Sequence, residues 1–81
     1  MQLPDDWIDS HGALERTFEL PSFPEAIAFV SRVADLAEEA NHHPDIHIER
    51  YKTVRIVLTT HVTKGISRAD IDLAKAVDAI A

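Results

Sequence analysis

The chain has 81 residues, 46% of them hydrophobic and 27% charged, which suits one small domain spanning residues 1–81. It contains no cysteine, which excludes disulfides, thiolate metal sites and cysteine nucleophiles. A formal net charge of −6 argues against direct binding of nucleic acid. No apolar run approaches the roughly 20 residues that cross a bilayer, and the first residues do not resemble a signal peptide, so we expect a cytoplasmic protein without a membrane partner.

The first part of the chain predicts a β-hairpin. Residues 7–10 can form a short edge strand, and His11-Gly12 supplies a turn. From Ala13 to Leu20, apolar and charged residues alternate, which is typical of a strand with one face in water.

A helix that ends near Ala40 is predicted next. Ser22 and Glu25 have the spacing of a capping box at its start. Asn41 suits the left-handed position that ends a helix, and Pro44 disfavours its continuation. The side chains expected on its apolar stripe are Phe23, Ile27, Val30, Val33, Ala34 and Ala37.

The second half of the chain predicts another hairpin and another helix. Residues 46–49 alternate as a strand does, residues 51–52 make a tight reversal, and residues 53–61 form a strand rich in β-branched side chains. Ser67 and Asp70 have capping-box spacing for the last helix. The apolar stripe of that helix is expected to contain Ile71, Ala74, Val77 and Ala81.

The predicted order of elements is therefore β-β-α-β-β-α. The two hairpins can join into one antiparallel four-stranded sheet, and both amphipathic helices need an apolar surface. We therefore expect a two-layer α+β domain with both helices packed on one face of the sheet. The other face is left for water or a partner subunit.

Histidines are concentrated in one part of the sequence, because four of the five lie between residues 42 and 61. His42 and His43 follow the predicted end of the first helix, and His61 lies at the predicted end of the last strand. Since a hairpin returns the chain to where it left, these three imidazoles can line one cleft. Imidazole exchanges protons near neutral pH, with an unperturbed pKa of ~6.5. Such a cluster suits a reaction made of proton transfers, such as the removal of water.

The spacing of these histidines leaves two other interpretations open. They can bind a metal ion, although adjacent histidines such as His42 and His43 usually point in different directions. They can also be surface residues beside a helix C-terminus, where a protonated imidazole is favourable.

A wider set of residues resembles the signature of the pterin-4a-carbinolamine dehydratase family. An acidic residue stands four positions before a His-His-Pro unit, and an aromatic residue, a histidine and an aspartate follow: Glu38, His42, His43, Pro44, Tyr51, His61 and Asp70. The resemblance extends from about Trp7 to Ala81. Members of that family commonly begin with an additional N-terminal helix, which we expect this chain to lack.

The resemblance implies dehydration of a 4a-hydroxytetrahydropterin, a carbinolamine, to a quinonoid dihydropterin and water. His43 and His61 would be the acid and the base, in an order that the sequence does not assign, and His42 would orient the substrate or share the proton transfer. The residues expected to bind the substrate are Glu38, Pro44, Trp7 and Thr60. No metal ion and no cofactor are expected, because the pterin is itself the substrate.

Three of these side chains have a second interpretation. Glu38 is either a solvated acid or the partner of His42, which lies four residues further on. Asp70 is expected to be an N-cap partner of the last helix rather than a catalyst. Trp7 either stacks against the pterin or packs in the core.

A short chain without disulfides has reason to oligomerise, and the resemblance implies a homodimer or a homotetramer. The alternative to an enzyme is a non-catalytic module on the same fold, such as a dimerisation partner of transcription factors or an assembly chaperone for other enzymes. The complete set of histidines favours catalysis.

Overall fold

The computed structural model describes residues 2–60 and 65–81 of the chain. Their elements, in chain order, are β1 (Ile8–Ser10), β2 (Ala13–Glu19), α1 (Phe23–Ala40), β3 (Asp45–Glu49), β4 (Thr53–Leu58) and α2 (Arg68–Ile80). The four strands form one antiparallel sheet in the order β1-β2-β4-β3. The predicted α+β fold and its order of elements are confirmed.

Alternation along the two central strands decides which face of the sheet is buried. Every second side chain of β2 and β4 packs under the helices, apart from Arg16, and the buried ones are Leu14, Phe18, Val54, Ile56 and Leu58. Leu14 lies directly opposite Leu58, and Phe18 opposite Val54, so these apolar side chains meet on the same face. The intervening residues are mainly charged or polar and lie on the other, partly exposed face.

α1 buries only part of the predicted stripe: Val33 and Ala37 are in the core as expected. Phe23 and Ile27 were expected in the core but are 50% and 43% exposed, and Ala34 is also exposed. Its buried residues are Ala26, Phe29, Val33 and Ala37. Apolar residues cover more than one side of this helix. The side with Phe29 faces the sheet because the Phe29 ring packs on the Phe18 ring, with centroids 4.9 Å apart.

α2 follows its predicted stripe at Ile71, Ala74 and Val77, but Ala81 is exposed beyond the last turn and Leu73 is buried instead. One further residue of α2 is fully buried and charged, namely Asp70. Neither helix in the described part of the chain is long and apolar enough to cross a bilayer.

The β3–β4 connection is a three-residue loop, because Glu49 pairs with Thr53. Arg50 and Tyr51 in this loop have φ angles of 51° and 55°, in the left-handed region that favours glycine. The tight reversal predicted here is confirmed.

The topology gives the sheet two different ends. The β3–β4 loop, with Tyr51 61% exposed at its tip, lies at one end. At the other end α1 finishes and α2 begins, close to the last residues of β4 and the first of β3. β4 stops at Leu58 rather than continuing to residue 61 as predicted, and Thr60 instead forms an isolated bridge with Gly65.

Candidate active site

The end of α1 fixes the backbone of His42. Asn41 has φ 51° and ψ 43°, which confirms the predicted left-handed C-cap. The N–H of His42 donates to the carbonyl of Ala37 at 3.0 Å, and the N–H of Asn41 donates to that of Glu38 at 3.2 Å. These bonds form a Schellman motif, so the His42 backbone is part of the helix terminus.

The His42 side chain reaches across to the start of α2. Its Nε2 lies 2.5 Å from Asp70 Oδ1, although the two residues are 28 positions apart in the chain. The Asp70 side chain is completely buried, and that of His42 is 18% exposed. This contact joins the end of one helix to the beginning of the other.

Asp70 is held by donors from two other places in the fold. Its Oδ2 accepts a hydrogen bond from Ser67 N–H at 2.8 Å and lies 3.0 Å from Thr60 Oγ1 and 3.3 Å from Ser67 Oγ. The two hydroxyl oxygens lie 2.5 Å apart, so one hydroxyl donates to the other and the second donates to Oδ2. The Ser67 N–H bond confirms Asp70 as an N-cap partner of α2, and the remaining contacts show that capping is only part of its role.

Glu38 contacts His43, not His42. The Nε2 of His43 lies 2.5 Å from Glu38 Oε2, and the two side chains are 59% and 76% exposed. The proposed pairing of Glu38 with His42 is therefore wrong: the Schellman turn leads the His42 ring towards α2, where Asp70 is its partner. The exposed His43 ring can be reached by a ligand.

Two more of the predicted site residues lie at this end of the sheet. Thr60 contacts the beginning of α2 through Ser67 and Asp70. Pro44 is half-buried between His43 and the first residue of β3. His61 lies outside the described residues, directly after Thr60 in the chain.

Trp7 lies in a different part of the molecule. Its ring is 4% exposed and meets Phe18 edge-on at 6.2 Å, and its Nε1 donates to Asp78 Oδ1 at 2.9 Å. Arg16 donates to the same carboxylate at 2.7 Å. Asp78 is eight residues beyond Asp70 on α2, about 12 Å along the helix axis. These contacts support the core-packing interpretation of Trp7, and the structure does not bring it beside the histidines.

A groove of about 370 Å³ separates α1 from α2 next to His42. Leucine and alanine side chains of both helices line most of it, and Glu39 and Asp72 are its acidic members. Neither Glu38 nor His43 lines the groove. Within residues 2–60 and 65–81, no three His, Cys, Asp or Glu side chains converge as metal ligands would.

The family model described as Pterin 4 alpha carbinolamine dehydratase matches residues 1–80. The chain belongs to this family. It is 53% identical over 79 residues to a provisionally named pterin-4-alpha-carbinolamine dehydratase of Chloroflexus aggregans, and the match covers 98% of the chain and 83% of that relative.

Two solved structures of dehydratase-like proteins share the fold. The transcriptional coactivator/pterin dehydratase from Brucella melitensis superimposes with a TM-score of 0.86 at 34% identity, covering 95% of this chain and 83% of that one. A pterin dehydratase-like protein identified as a RuBisCO assembly factor in the alpha-carboxysome gives a TM-score of 0.74 at 27% identity, covering 91% and 84%.

Proposed function

We propose that this protein dehydrates 4a-hydroxytetrahydropterin to quinonoid dihydropterin and water by histidine acid/base catalysis. Membership of the dehydratase family supports the pterin carbinolamine as substrate. The observation that carries the proposal is the buried contact of His42 with Asp70 directly beside the exposed His43. Two imidazoles with different surroundings thereby lie at one end of the sheet: the ring of His42 is held in place and can orient a substrate, and the exposed ring of His43 can exchange a proton with it.

The reaction needs two proton transfers. The C4a–O bond breaks as an acid protonates the leaving hydroxyl, and a base takes a proton from the pterin ring as the new double bond forms. Water is the only other product, so atoms and electrons balance without a redox partner. We assign these two roles to His43 and His61, without an order between them, and give His42 the task of orienting the substrate or sharing the proton transfer.

The remaining side chains of this region suit a flat, polar substrate. Glu38 offers carboxylate oxygens to the amino and ring N–H donors of a pterin. The ring of Pro44 fixes that residue's own φ, which limits how far the backbone next to His43 can move. Since the pterin is the substrate, we propose no metal ion and no further cofactor.

The protein is proposed to act as a homodimer or homotetramer. Its 81 residues give a small core, and α1 exposes Phe23 and Ile27 one turn apart. Sedimentation analysis of the wild type beside a Phe23→Ser, Ile27→Ser variant tests this. A monomeric wild type would remove the proposal, and a stable dimer or tetramer in the variant would exclude this helix surface as its interface.

The activity is tested by stopped-flow spectroscopy with freshly generated 4a-hydroxytetrahydropterin. We expect the wild type to accelerate its breakdown, and His43→Ala and His61→Ala to lose roughly 10²-fold or more of that activity while remaining folded. His47→Ala is the matched control, because His47 lies exposed on β3 opposite Arg55, on the face of the sheet that does not carry the buried side chains of β4. A folded wild type that does not exceed the buffer rate would refute the enzyme.

A non-catalytic binding or assembly role is the second candidate. It is favoured by the likeness to the RuBisCO assembly factor and to the transcriptional coactivator/pterin dehydratase. The two candidates make opposite predictions in the same assay, because an assembly module has no need to accelerate carbinolamine breakdown. Wild-type acceleration that the His43→Ala variant lacks would favour the enzyme.

A further inference from the structure

We propose that Ser67 and Thr60 are positioning residues that act through Asp70 to fix the ring orientation and the tautomer of His42. This inference deepens the proposed function, since it concerns how that site is prepared. The two oxygens of the Asp70 carboxylate have different partners: Oδ2 contacts Ser67 and Thr60 at the beginning of α2, and Oδ1 contacts the imidazole of His42.

Hydrogen bonds to Oδ2 determine how the Asp70 carboxylate is rotated. The terminal torsion of an aspartate is soft, so its two oxygens have no strong intrinsic preference for one plane. The Ser67 N–H and the hydrogen-bonded pair of Thr60 and Ser67 hydroxyls converge on Asp70 Oδ2. They come from the N-cap of α2 and from the chain just after β4, so they fix the plane of the carboxylate from two directions. Oδ1 is thereby directed at His42.

Burial of Asp70 makes each of its hydrogen bonds hard to replace. The Asp70 side chain has no exposed surface, so water cannot easily replace a hydroxyl that is removed. A lost donor leaves a buried oxygen short of a hydrogen bond and frees the carboxylate to rotate. The orientation of Oδ1 therefore depends on both the Thr60 and the Ser67 hydroxyl.

The contact with Asp70 also determines which nitrogen of His42 carries the imidazole hydrogen. An ionised carboxylate only accepts hydrogen bonds, so His42 Nε2 must carry the hydrogen that lies between it and Asp70. The neutral ring then has its lone pair on Nδ1. The backbone of His42 is fixed separately, by the hydrogen bond from its N–H to the carbonyl of Ala37. The ends of two helices thus determine which His42 nitrogen can take up a proton.

Capping alone does not explain this arrangement. An N-cap requires one acceptor for the first turn of a helix, and α1 has that much in Ser22 Oγ, which accepts from Glu25 N–H at 3.3 Å. Asp70 adds a hydroxyl from outside its helix and a histidine from the other helix.

The test uses the intact protein and six variants: two that lose a hydroxyl, two controls and two that keep a hydroxyl. Thr60→Val and Ser67→Ala each remove one member of the hydroxyl pair that contacts Asp70 Oδ2. Thr53→Val is the control for the first, because the Thr53 hydroxyl, at the start of β4, donates to Glu19 on β2 at 2.9 Å in an exposed contact. Ser22→Ala is the control for the second, because it removes the N-cap side chain of α1.

The first readout is the pair of ring ¹⁵N chemical shifts of His42, measured by long-range ¹H–¹⁵N correlation without substrate. We expect the Nε2–H tautomer in the wild type and in both controls, and a mixture of tautomers in Thr60→Val and Ser67→Ala. Thr60→Ser and Ser67→Thr keep a hydroxyl and should restore the wild-type shifts. They also provide the test should either truncated variant fail to fold.

The second readout is dehydratase turnover. We expect kcat to fall about 10-fold in Thr60→Val and Ser67→Ala with little change in KM, as for loss of one hydrogen bond to a charged group. Wild-type His42 in the Nδ1–H form, or truncated variants with shifts like the controls, would overturn the positioning role. Absence of turnover together with the expected shifts would instead refute the proposed function and leave the positioning role standing.

Discussion

His42 and His43 are neighbours in the chain, and each places its Nε2 2.5 Å from a carboxylate oxygen. The two pairs differ in sequence separation and in burial. His42 and Asp70 are 28 residues apart and the carboxylate is fully buried, whereas His43 and Glu38 are five residues apart with side chains 59% and 76% exposed. Equal contact distances therefore occur in very different surroundings.

The comparison teaches that burial, and not distance, decides what such a pair does. An exposed pair competes with water and contributes about 0–1 kcal/mol. A buried carboxylate must be matched by donors, and loss of those contacts costs several kcal/mol. The His42–Asp70 pair consequently fixes the junction of the two helices, while the His43–Glu38 pair leaves its imidazole free to meet a substrate.

The largest expected effect is on stability, from Asp70→Ala. This change removes the acceptor of the Ser67 and Thr60 donors and of His42, so we expect the free energy of unfolding to fall by about 3 kcal/mol. Urea denaturation of the variant measures it. Glu38→Ala is the matched control and should change stability by less than about 0.5 kcal/mol. Equal losses in both variants would contradict the contrast between the pairs.

A double-mutant cycle sharpens the same contrast. We expect His42→Ala and Asp70→Ala to show a coupling energy of about 2 kcal/mol, because their contact involves a buried charged group. The cycle for His43→Ala and Glu38→Ala should give less than about 0.5 kcal/mol. Thermal and urea unfolding of the six single and double variants provide the values, and similar couplings in both cycles would show that burial does not separate the pairs.

A smaller effect is expected at the other end of α2, from Trp7→Phe. The variant keeps an aromatic ring beside Phe18 but loses the hydrogen bond to Asp78, so stability should fall by about 1 kcal/mol. Because Trp7 lies away from the histidines, kcat and KM should stay within about twofold of wild type. A tenfold rise in the KM of this variant in the stopped-flow assay would instead indicate that Trp7 contacts the substrate.

The smallest effect on stability is expected from Glu38→Gln. The exposed pair with His43 contributes little, so the unfolding midpoint should hardly move. The KM for the pterin should rise several-fold, because an amide replaces a carboxylate that accepts from the substrate's N–H groups. A lower midpoint with unchanged KM would mean that Glu38 serves the fold rather than the substrate.

The elements were predictable from local patterns, since alternation, cap residues and turns act over a few positions. The Asn41 cap and the Ser67–Asp70 spacing are of this kind. Local patterns did not fully predict which side of α1 is buried, because Phe23, Ile27 and Phe29 are all apolar and only contact with the sheet selects among them. Packing against Phe18 made that choice.

The candidate site was predictable as a region but not as a set of contacts. The hairpin pattern predicted His42, His43 and His61 at one end of the sheet. The structure has His42 and His43 there, and His61 lies outside the described residues. The partner of His42 could not be found from spacing, because Glu38 is closer in sequence and only the mutual position of the two helices favours Asp70. Capping-box spacing was the available signal for Asp70, and it indicated only half of what that carboxylate contacts.

The β3–β4 loop offers a way to make the protein tolerant of change. Arg50 and Tyr51 adopt left-handed conformations that cost a non-glycine residue roughly 1 kcal/mol each, and they do so at the end of the sheet farthest from His42. Asn at position 50 and Gly at position 51 would relieve most of that strain. Such a background would absorb destabilising substitutions around Asp70, so variants that otherwise unfold could be purified and assayed, and laboratory evolution of the histidine region could begin from it.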